Sequence, residues 1–500
     1  MMGHGALALM GRINSKPVYV VHRLRSVTLR RVRRLWYRSR MERLRFFLAA
    51  LVFVFAATVA PAQNPAPTPP MGWNSWDAYG FTINEADFKA NAAVLASVKQ
   101  FGWQYAVIDE GWYMENPLGA NLAERKYLLD GNGILIPVTS RFPTAADGAG
   151  FKPLADWIHQ QGLKFGIHIV RGIPKQAVKE NLPIAGTSFH AADAADTTET
   201  CPWDEGNFGV AENAAGQAYY DSMLKLYAGW GLDYIKVDCI ADHPYRLSEI
   251  RQIAAAIKKA SIQFGRPIVL SLSPGPTQVE HAAEVAEYAQ MWRISDDHWD
   301  GWSFPRKPSD GEFPMGVRDE FDRLAKWAPY VKPGSWPDAD MLPDGWLGPH
   351  PGWGEARLSR LTHDEQRTEF TLWAIARSPL IFGGNLTKLD EFTRSLMTNQ
   401  EVLEINQKAV KGGEAATYPE DSLRPRYWWA ITGAPNPKRY IAVFNLKDTP
   451  QVIDVPWIYF HLADKEHAAY DIWNKKQIPS AKSLHAGMIP AHSCALFRVE

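Results

Sequence analysis

The sequence predicts an α/β fold, a (β/α)8 TIM barrel followed by a C-terminal antiparallel β domain. Three observations carry this. Between residues 71 and 383, eight short apolar runs alternate with longer stretches of helical periodicity, and strict β/α alternation builds a parallel sheet. The runs are apolar almost throughout, and eight such units favour closure into a barrel. After Gly412-Gly413 the helical pattern stops, and strand-like segments separated by Pro, Asn, Gly and Asp take over. A doubly wound open sheet is the alternative; no glycine-rich phosphate loop follows the first run, which disfavours it.

The first run ends at Met71-Gly72-Trp73-Asn74-Ser75-Trp76. Asn84 then stands as N-cap of a helix with Phe88, Ala92, Leu95 and Val98 on one face and Gly102 as its stop. Strand 105–109 follows, then a helix over 151–161 halted by Gly162, then strand 165–170. A helix over 213–230, stopped by Gly231, leads into strand 234–238. Helices near 247–262 and 279–288 precede strands 268–273 and 291–295. A helix ending near Tyr330 precedes 336–342, and a helix over 363–377 precedes 380–383. Beyond these, 427–432, 440–446, 451–455, 469–473 and 495–499 read as strands, with no helix among them. The expected organisation is a leader over 1–62, a Pro-rich spacer over 63–70, the barrel over 71–408 and the β domain over 409–500.

Residues 46–60 form one apolar run behind Arg43 and Arg45. It falls short of the roughly 20 residues that span a bilayer, and Ala60-Pro61-Ala62 offers a small-x-small cleavage site. Met41 is the expected start, with 1–40 an over-extended reading of the gene. An exported protein, periplasmic or extracellular, with no stable membrane insertion after cleavage is therefore expected. A membrane-anchored chain with a basic cytoplasmic tail is the alternative.

The formal net charge of zero hides an asymmetry. Residues 1–62 hold 12 of the 54 Lys and Arg but only one acid, Glu42, so 63–500 carry 42 basic and 53 acidic residues, a net −11. So acidic a body excludes nucleic acid as a partner, because phosphate contacts need clustered cations. Three cysteines, Cys201, Cys239 and Cys494, allow neither a disulfide scaffold nor a multi-Cys metal framework. Twenty Trp against 22 Phe supply many flat indole faces, which suit sugar rings. Asp238, Asp242 and His243 lack metal-ligand spacing, so no metal and no other cofactor is expected. His363 reads as a solvated helix start and Cys494 as a buried thiol. Trp428 and Trp429 should divide between core and surface.

A barrel places its active site at the C-terminal ends of its strands. The polar residues there are Trp76, Asp77, Asp109, Glu110, His168, Arg171, Lys236, Asp238, Ser273, Arg293, Asp296, Asp297 and Asp340. Carboxylates accept from vicinal hydroxyls, Lys and Arg donate, and Trp covers an apolar ring face, so this set suits a neutral polyhydroxyl ligand. Two of the carboxylates fit the nucleophile and acid of glycoside hydrolysis, though position alone does not say which. Asp238 ends an apolar strand two residues after Lys236, whose ammonium would favour the ionised form a nucleophile needs. Asp296-Asp297 lies among Trp292, Trp299 and Trp302, and apolar neighbours raise a carboxyl pKa as a general acid requires.

These residues also carry a resemblance. Met71–Trp76, Ile108-Asp109-Glu110-Gly111-Trp112, Ile235-Lys236-Val237-Asp238, Trp292–Asp297, Trp336–Leu342 and Leu372–Leu380 occur in the order seen in glycoside hydrolase family 27, the α-galactosidase and α-N-acetylgalactosaminidase family. The resemblance covers about residues 69–500 and implies a C-terminal β-sandwich and a retaining exo-glycosidase acting on an oligosaccharide or polysaccharide. Asp238 matches the family's nucleophile and Asp297 its acid/base. Trp76, Asp109, Lys236 and Arg293 match sugar-binding positions, with Asp340 near the site and His168 expected beside them. Asp296 stands where the family usually has a small residue, which leaves two adjacent aspartates for one proton-donor role.

Three departures bear on the substrate. Glu110 replaces a second Asp beside the sugar's C6, where one more methylene would crowd a hydroxymethyl, as expected of β-L-arabinopyranosidases. Ser273 stands in the 2-hydroxyl loop in place of Glu, as in N-acetylgalactosaminidases. Cys239 directly follows Asp238, where the family's disulfide cysteine usually stands two residues later, and Cys201 is the candidate partner for it. The order of expectation is a terminal α-D-galactoside, then a β-L-arabinopyranoside, then an α-N-acetylgalactosaminide. A sugar-binding barrel without catalysis is the rival class.

Overall fold

A computed structural model describes residues 64–118, 124–306, 313–415 and 423–500. The expected leader, its cleavage site and Met41 lie outside the described residues. Among the described residues no helix is long and apolar enough to cross a membrane.

The eight expected strands form one parallel sheet: β1 Met71–Asn74, β2 Tyr105–Ile108, β3 Lys164–Val170, β4 Tyr234–Asp238, β5 Val269–Leu272, β6 Met291–Arg293, β7 Trp336–Asp338 and β8 Leu380–Phe382. They pair in chain order, and β8 pairs back onto β1 with Met71 opposite Leu380. The ring closes just beyond β7, where Leu342 N–H donates to Ile381 O at 2.8 Å and Gly383 N–H donates to Leu342 O at 3.0 Å. Nearly every strand residue is buried, which is why the runs read as continuous rather than alternating. Gly72 is required where β1 meets β2: a Cβ there would stand 2.3 Å from Tyr105 O.

Helices wrap the ring as their caps direct. Asn84 Oδ1 accepts from Asp87 N–H at 2.9 Å, starting Glu85–Ser97, which turns Phe88, Ala92 and Leu95 inward. Gly231, at φ +99°, ends Ala214–Trp230 by donating to the carbonyls of Tyr227 and Ala228. The helix expected near 247–262 runs over Leu247–Phe264, to Gly265 in the left-handed region. The last turn continues past the expected end, and the glycine sets the stop.

Between β3 and the helix Ala214–Trp230 the chain makes an excursion that periodicity does not reveal. Ile173–Pro174, Ala195–Thr200 and Asn207–Val210 form a small antiparallel sheet. Its longest strand, Ala-Asp-Thr-Thr-Glu-Thr, has no apolar alternation to announce it. Helices Glu391–Met397 and Gln400–Lys408 also lie beyond what the pattern showed.

Among the described residues the C-terminal region has eight strands: β9 Ala409–Glu414, β10 Arg426–Thr432, β11 Arg439–Phe444, β12 Gln451–Pro456, β13 His467–Asp471, β14 Lys476–Ala481, β15 Ser483–Ile489 and β16 Cys494–Val499. A six-stranded antiparallel sheet, in the order β9-β10-β11-β16-β13-β14, packs against the antiparallel β12–β15 pair. Ile441, Val443, Val455, Leu484 and Phe497 fill the space between them. Gly412-Gly413 lies inside β9 rather than before the region, and a single 3-10 turn, Trp457–Phe460, interrupts it.

The opposite face of the large sheet has no core of its own. Trp428, Ala430, Tyr440, Ala442, Phe444 and Leu496 continue the hydrophobic core of the barrel, meeting the helix His363–Ala376. Side chains alternate along β10, so Trp428 faces the barrel and Trp429 faces the inter-sheet core. The expected division holds in part: Trp428 is fully buried, while Trp429 is half-buried because the second sheet lies over that face. His492 ties the regions further, its ring stacked on Trp302 at 4.2 Å and its Nδ1 2.8 Å from Glu365 Oε1. Cys494 is buried with its Sγ 3.4 Å from Thr371 Oγ1, and burial pushes its thiol up to about 11. His363 opens the helix His363–Ala376 and is exposed, as expected, with its ring stacked at 3.9 Å on Phe392.

Because one core serves both regions, Trp428→Ala should cost about 3–5 kcal/mol, as large-to-small changes in packed cores do. Barrel helicity and β-region aromatic signals should then be lost together in one thermal transition at lowered temperature. Separate transitions, followed by far- and near-UV circular dichroism, would refute the shared core.

Candidate active site

The strand ends deliver the expected residues to one place. Trp76, Asp109, Glu110, Lys236, Asp238, Ser273, Arg293, Asp297 and Asp340 line a single pocket at the C-terminal mouth of the barrel. Asp77, Trp203, His298, Trp299 and Met341 complete the lining. His168, expected beside the ligand, instead stands behind Asp238 at 1% exposure. Asp296 is outside the lining; its Oδ1 accepts from Asp297 N–H at 2.9 Å.

Two cations organise the floor. Lys236 Nζ donates to Asp109 Oδ2 at 3.0 Å, and Asn74 Nδ2 donates to the same oxygen at 2.6 Å. Burial works against charge on Asp109, but Lys236, His168 and these donors hold its carboxyl well below the usual carboxylate range. Lys236 is raised in turn: desolvation is outweighed by Asp109, Asp238 and Asp340. Arg293 reaches Asp340 Oδ2 at 2.9 Å and Asp297 Oδ1 at 3.3 Å. Asp340 sits at φ +82°, a strained conformation for a non-glycine residue, pinned by His298 N–H donating to its Oδ2 at 2.9 Å and Trp373 Nε1 donating to its carbonyl at 3.0 Å.

Asp238 accepts from Cys239 N–H at 2.6 Å and lies 3.2 Å from His168 Nε2. Burial would raise it, but the His168 hydrogen bond and charge, then Lys236 and the Cys239 N–H, leave it below its ordinary value. The ammonium expected to ionise Asp238 is thus a secondary influence; its direct partner is Asp109.

Asp297 behaves oppositely. Its side chain is 42% exposed at the mouth, but the surrounding protein strips hydration, and Asp340, Asp296 and Asp238 add like charge. Against the lowering effect of Arg293, its carboxyl is pushed up to about 6. The tryptophan cage expected around it is partial: Trp299 lines the pocket, Trp292 packs inward on Trp327, and Trp302 stacks on His492.

Glu110 is buried, with Oε1 lacking a hydrogen bond and 3.6 Å from Arg125 Nη1. The same nitrogen lies 3.2 Å from Asp204 Oδ2, so two carboxylates share one guanidinium. Desolvation first, then Asp204, raises Glu110 well above its ordinary value. Asp77 is raised too, by burial and then Asp340; its unpartnered Oδ2 abuts Gly383, where a Cβ would lie 1.6 Å away.

Cys201 and Cys239 are joined by a disulfide, so the excursion after β3 is tied to the residue next to Asp238. That tie carries Trp203 to the pocket, a consequence the expected cysteine pairing contained. His298 and Trp299 follow Asp297 directly, whereas nothing in the sequence pointed to Arg125 or Asp204. Asp242 and His243 pair with each other at 2.7 Å.

A parallel barrel whose mouth gathers paired carboxylates, cations and indoles defines a glycoside hydrolase. Residues 202–408 match the family described as alpha galactosidase A, and 426–499 match the alpha galactosidase C-terminal β-sandwich domain. Alpha-galactosidase A of Cellvibrio japonicus is 27% identical over 469 residues, covering 90% of this chain and 96% of the relative. A β-L-arabinopyranosidase from Geobacillus stearothermophilus superposes with a TM-score of 0.79 at 42% identity, over 87% of this chain and 97% of that one. A candidate α-N-acetylgalactosaminidase from Bacillus halodurans follows at 38% identity and TM-score 0.73, covering 86% and 97%. The chain belongs to glycoside hydrolase family 27, and it is a glycosidase.

Replacing His168 by Phe removes the side-chain partner of Asp238 while keeping a buried ring. The acid limb of kcat/KM against pH should move upward by about one unit, the scale of a hydrogen bond to a charged group. An unmoved limb would mean that His168 does not set the Asp238 ionisation.

Proposed function

We propose that the enzyme is a retaining exo-glycosidase releasing a terminal α-D-galactosyl residue. One observation carries the reading: two carboxylates in one pocket are driven apart, Asp238 toward the charged form and Asp297 toward the protonated one. Asp238 would attack the anomeric carbon while Asp297 gives its proton to the departing oxygen. The covalent glycosyl-enzyme then releases the sugar when Asp297, now a base, takes a proton from water. Trp76 offers an apolar face for the ring, while Asp109, Lys236, Arg293 and Asp340 supply hydroxyl partners at the floor. The Cellvibrio relative supports galactose as the sugar.

Glu110 favours a second reading for the same pocket, a β-L-arabinopyranosyl residue, which has the galactose ring without C6. Burial of Glu110 against Arg125 leaves its longer side chain little room to retreat, and the Geobacillus neighbour is an arabinopyranosidase. Ser273 in the lining, with the Bacillus halodurans neighbour, keeps an N-acetylated sugar as the third substrate to assay. Export is also part of this proposal: the Cys201–Cys239 bond fits an oxidising compartment.

Two measurements test the reading. Activity should fall as pH rises through about 6, where Asp297 loses its proton, and fall again in acid as Asp238 gains one. Asp297→Asn should abolish the basic limb, and a limb that persists would assign the proton donor elsewhere. On aryl glycosides, Glu110→Asp should raise kcat/KM for α-D-galactoside relative to β-L-arabinopyranoside by about 10-fold or more, the scale of one methylene. An unchanged ratio would remove Glu110 as the determinant.

A further inference from the structure

The retaining reading accounts for the floor of the pocket but leaves its rim unexplained. Asp109, Arg293 and Asp340 are buried at the floor, while Asp297 is 42% exposed at the mouth. A sugar seated on the floor therefore directs its departing oxygen outward past Asp297, and whatever that oxygen carries lies on the rim. Trp203 stands there. It lines the same pocket as Asp238 and Asp297 and is half-buried. Its position is set by packing on Val170 and the Cys201–Cys239 bond, whose second half adjoins Asp238.

The indole does not stand alone. The ring of His243 meets it edge-on, with centroids 5.3 Å apart and planes at 60°. Asp242 Oδ2 holds His243 Nδ1 at 2.7 Å, and the two side chains are 47% and 21% exposed in the order His243, Asp242. The hydrogen bond to Asp242 raises the His243 pKa, and Asp296 and Asp238 add to this, which sets the imidazole in the field of both catalytic loops.

We propose that Trp203 and the Asp242–His243 pair form a leaving-group subsite whose ligand is a neutral sugar ring. The proposal rests on the retaining reading above. An indole offers a flat apolar surface to the C–H face of a pyranose, and an imidazole paired with a carboxylate beside it presents a donor and acceptors to vicinal hydroxyls. Asp242 and Asp296 make the rim acidic, so a uronate, sulfated or phosphorylated leaving group meets like charge and a neutral saccharide does not. Interactions with the leaving group act only until the glycosidic bond breaks. They raise the rate of the first displacement and contribute nothing to holding the released monosaccharide.

The test compares wild type, Trp203→Ala, Trp203→Leu and His243→Ala on two substrates of the same terminal sugar, a neutral disaccharide and its 4-nitrophenyl glycoside. The inhibition constant of the free monosaccharide, D-galactose or L-arabinose, is measured alongside. Trp203→Ala should lower kcat/KM on the disaccharide at least 10-fold and leave the monosaccharide inhibition constant within twofold. Trp203→Leu, which keeps bulk against the disulfide, should show the same split, and His243→Ala a smaller one. If the inhibition constant rises in parallel, Trp203 belongs to the terminal-sugar site and the proposal fails. It also fails if disaccharide hydrolysis is unchanged, or if wild type cleaves the aryl glycoside and no saccharide. Wild type inert on every glycoside would instead overturn the glycosidase reading beneath it.

Discussion

The site depends on a shortage of positive charge. Asp77, Asp109, Glu110, Asp238, Asp297 and Asp340 share one mouth with Lys236 and Arg293. Carboxylates this close, partly removed from water, cannot all ionise, so contact with a cation or fixed donor decides which do. Asp109 takes Lys236 and Asn74, and Asp238 takes His168 and a backbone N–H. Asp297 shares Arg293 with Asp340 and is left protonated to about pH 6. Carboxyls with opposite protonation preferences thus arise from the same residue type, separated by neighbours alone.

That distribution needs a rigid frame, and the barrel supplies it. Asp238 and Lys236 ride on β4, Arg293 closes β6, and Asp340 is pinned just past β7 in a left-handed conformation. Around this ring the fold adds two ties. The Cys201–Cys239 bond fastens an otherwise polar excursion beside Asp238, and Trp203 packs against that bond. The C-terminal sheet lends one face to the barrel's core and clasps the helix His363–Ala376, whose residues from Thr368 to Ala376 are all buried. The second sheet then covers the other face, which would otherwise be exposed.

Much of this was legible in the chain. The eight strands were readable because strands buried on both faces are continuous apolar runs, and helix ends such as those at Asn84 and Gly231 because these residues cap them by local geometry. The candidate site residues were readable because barrel topology sends every strand end to one mouth. The strands Ala195–Thr200 and Lys476–Ala481 were not, since their polar composition carries no period-2 signal and only pairing with neighbours makes them strands. Arg125 and Asp204 were hidden for the same reason: they act through contacts that no local pattern encodes.

The sequence by itself determined the barrel, the β region behind it, the family and the ring of residues at the mouth. All of these follow from short-range periodicity, caps and ordered motifs. Only the tertiary structure decided which carboxylate is charged, that His168 serves Asp238 while Lys236 serves Asp109, and that Trp428 is buried against the barrel while Trp429 is half-buried under the second sheet. Lys236 and Asp109 are 127 residues apart in the chain and 3.0 Å apart in space. Ionisation and burial are set by such contacts over a few ångströms, and distance along the chain holds no record of them.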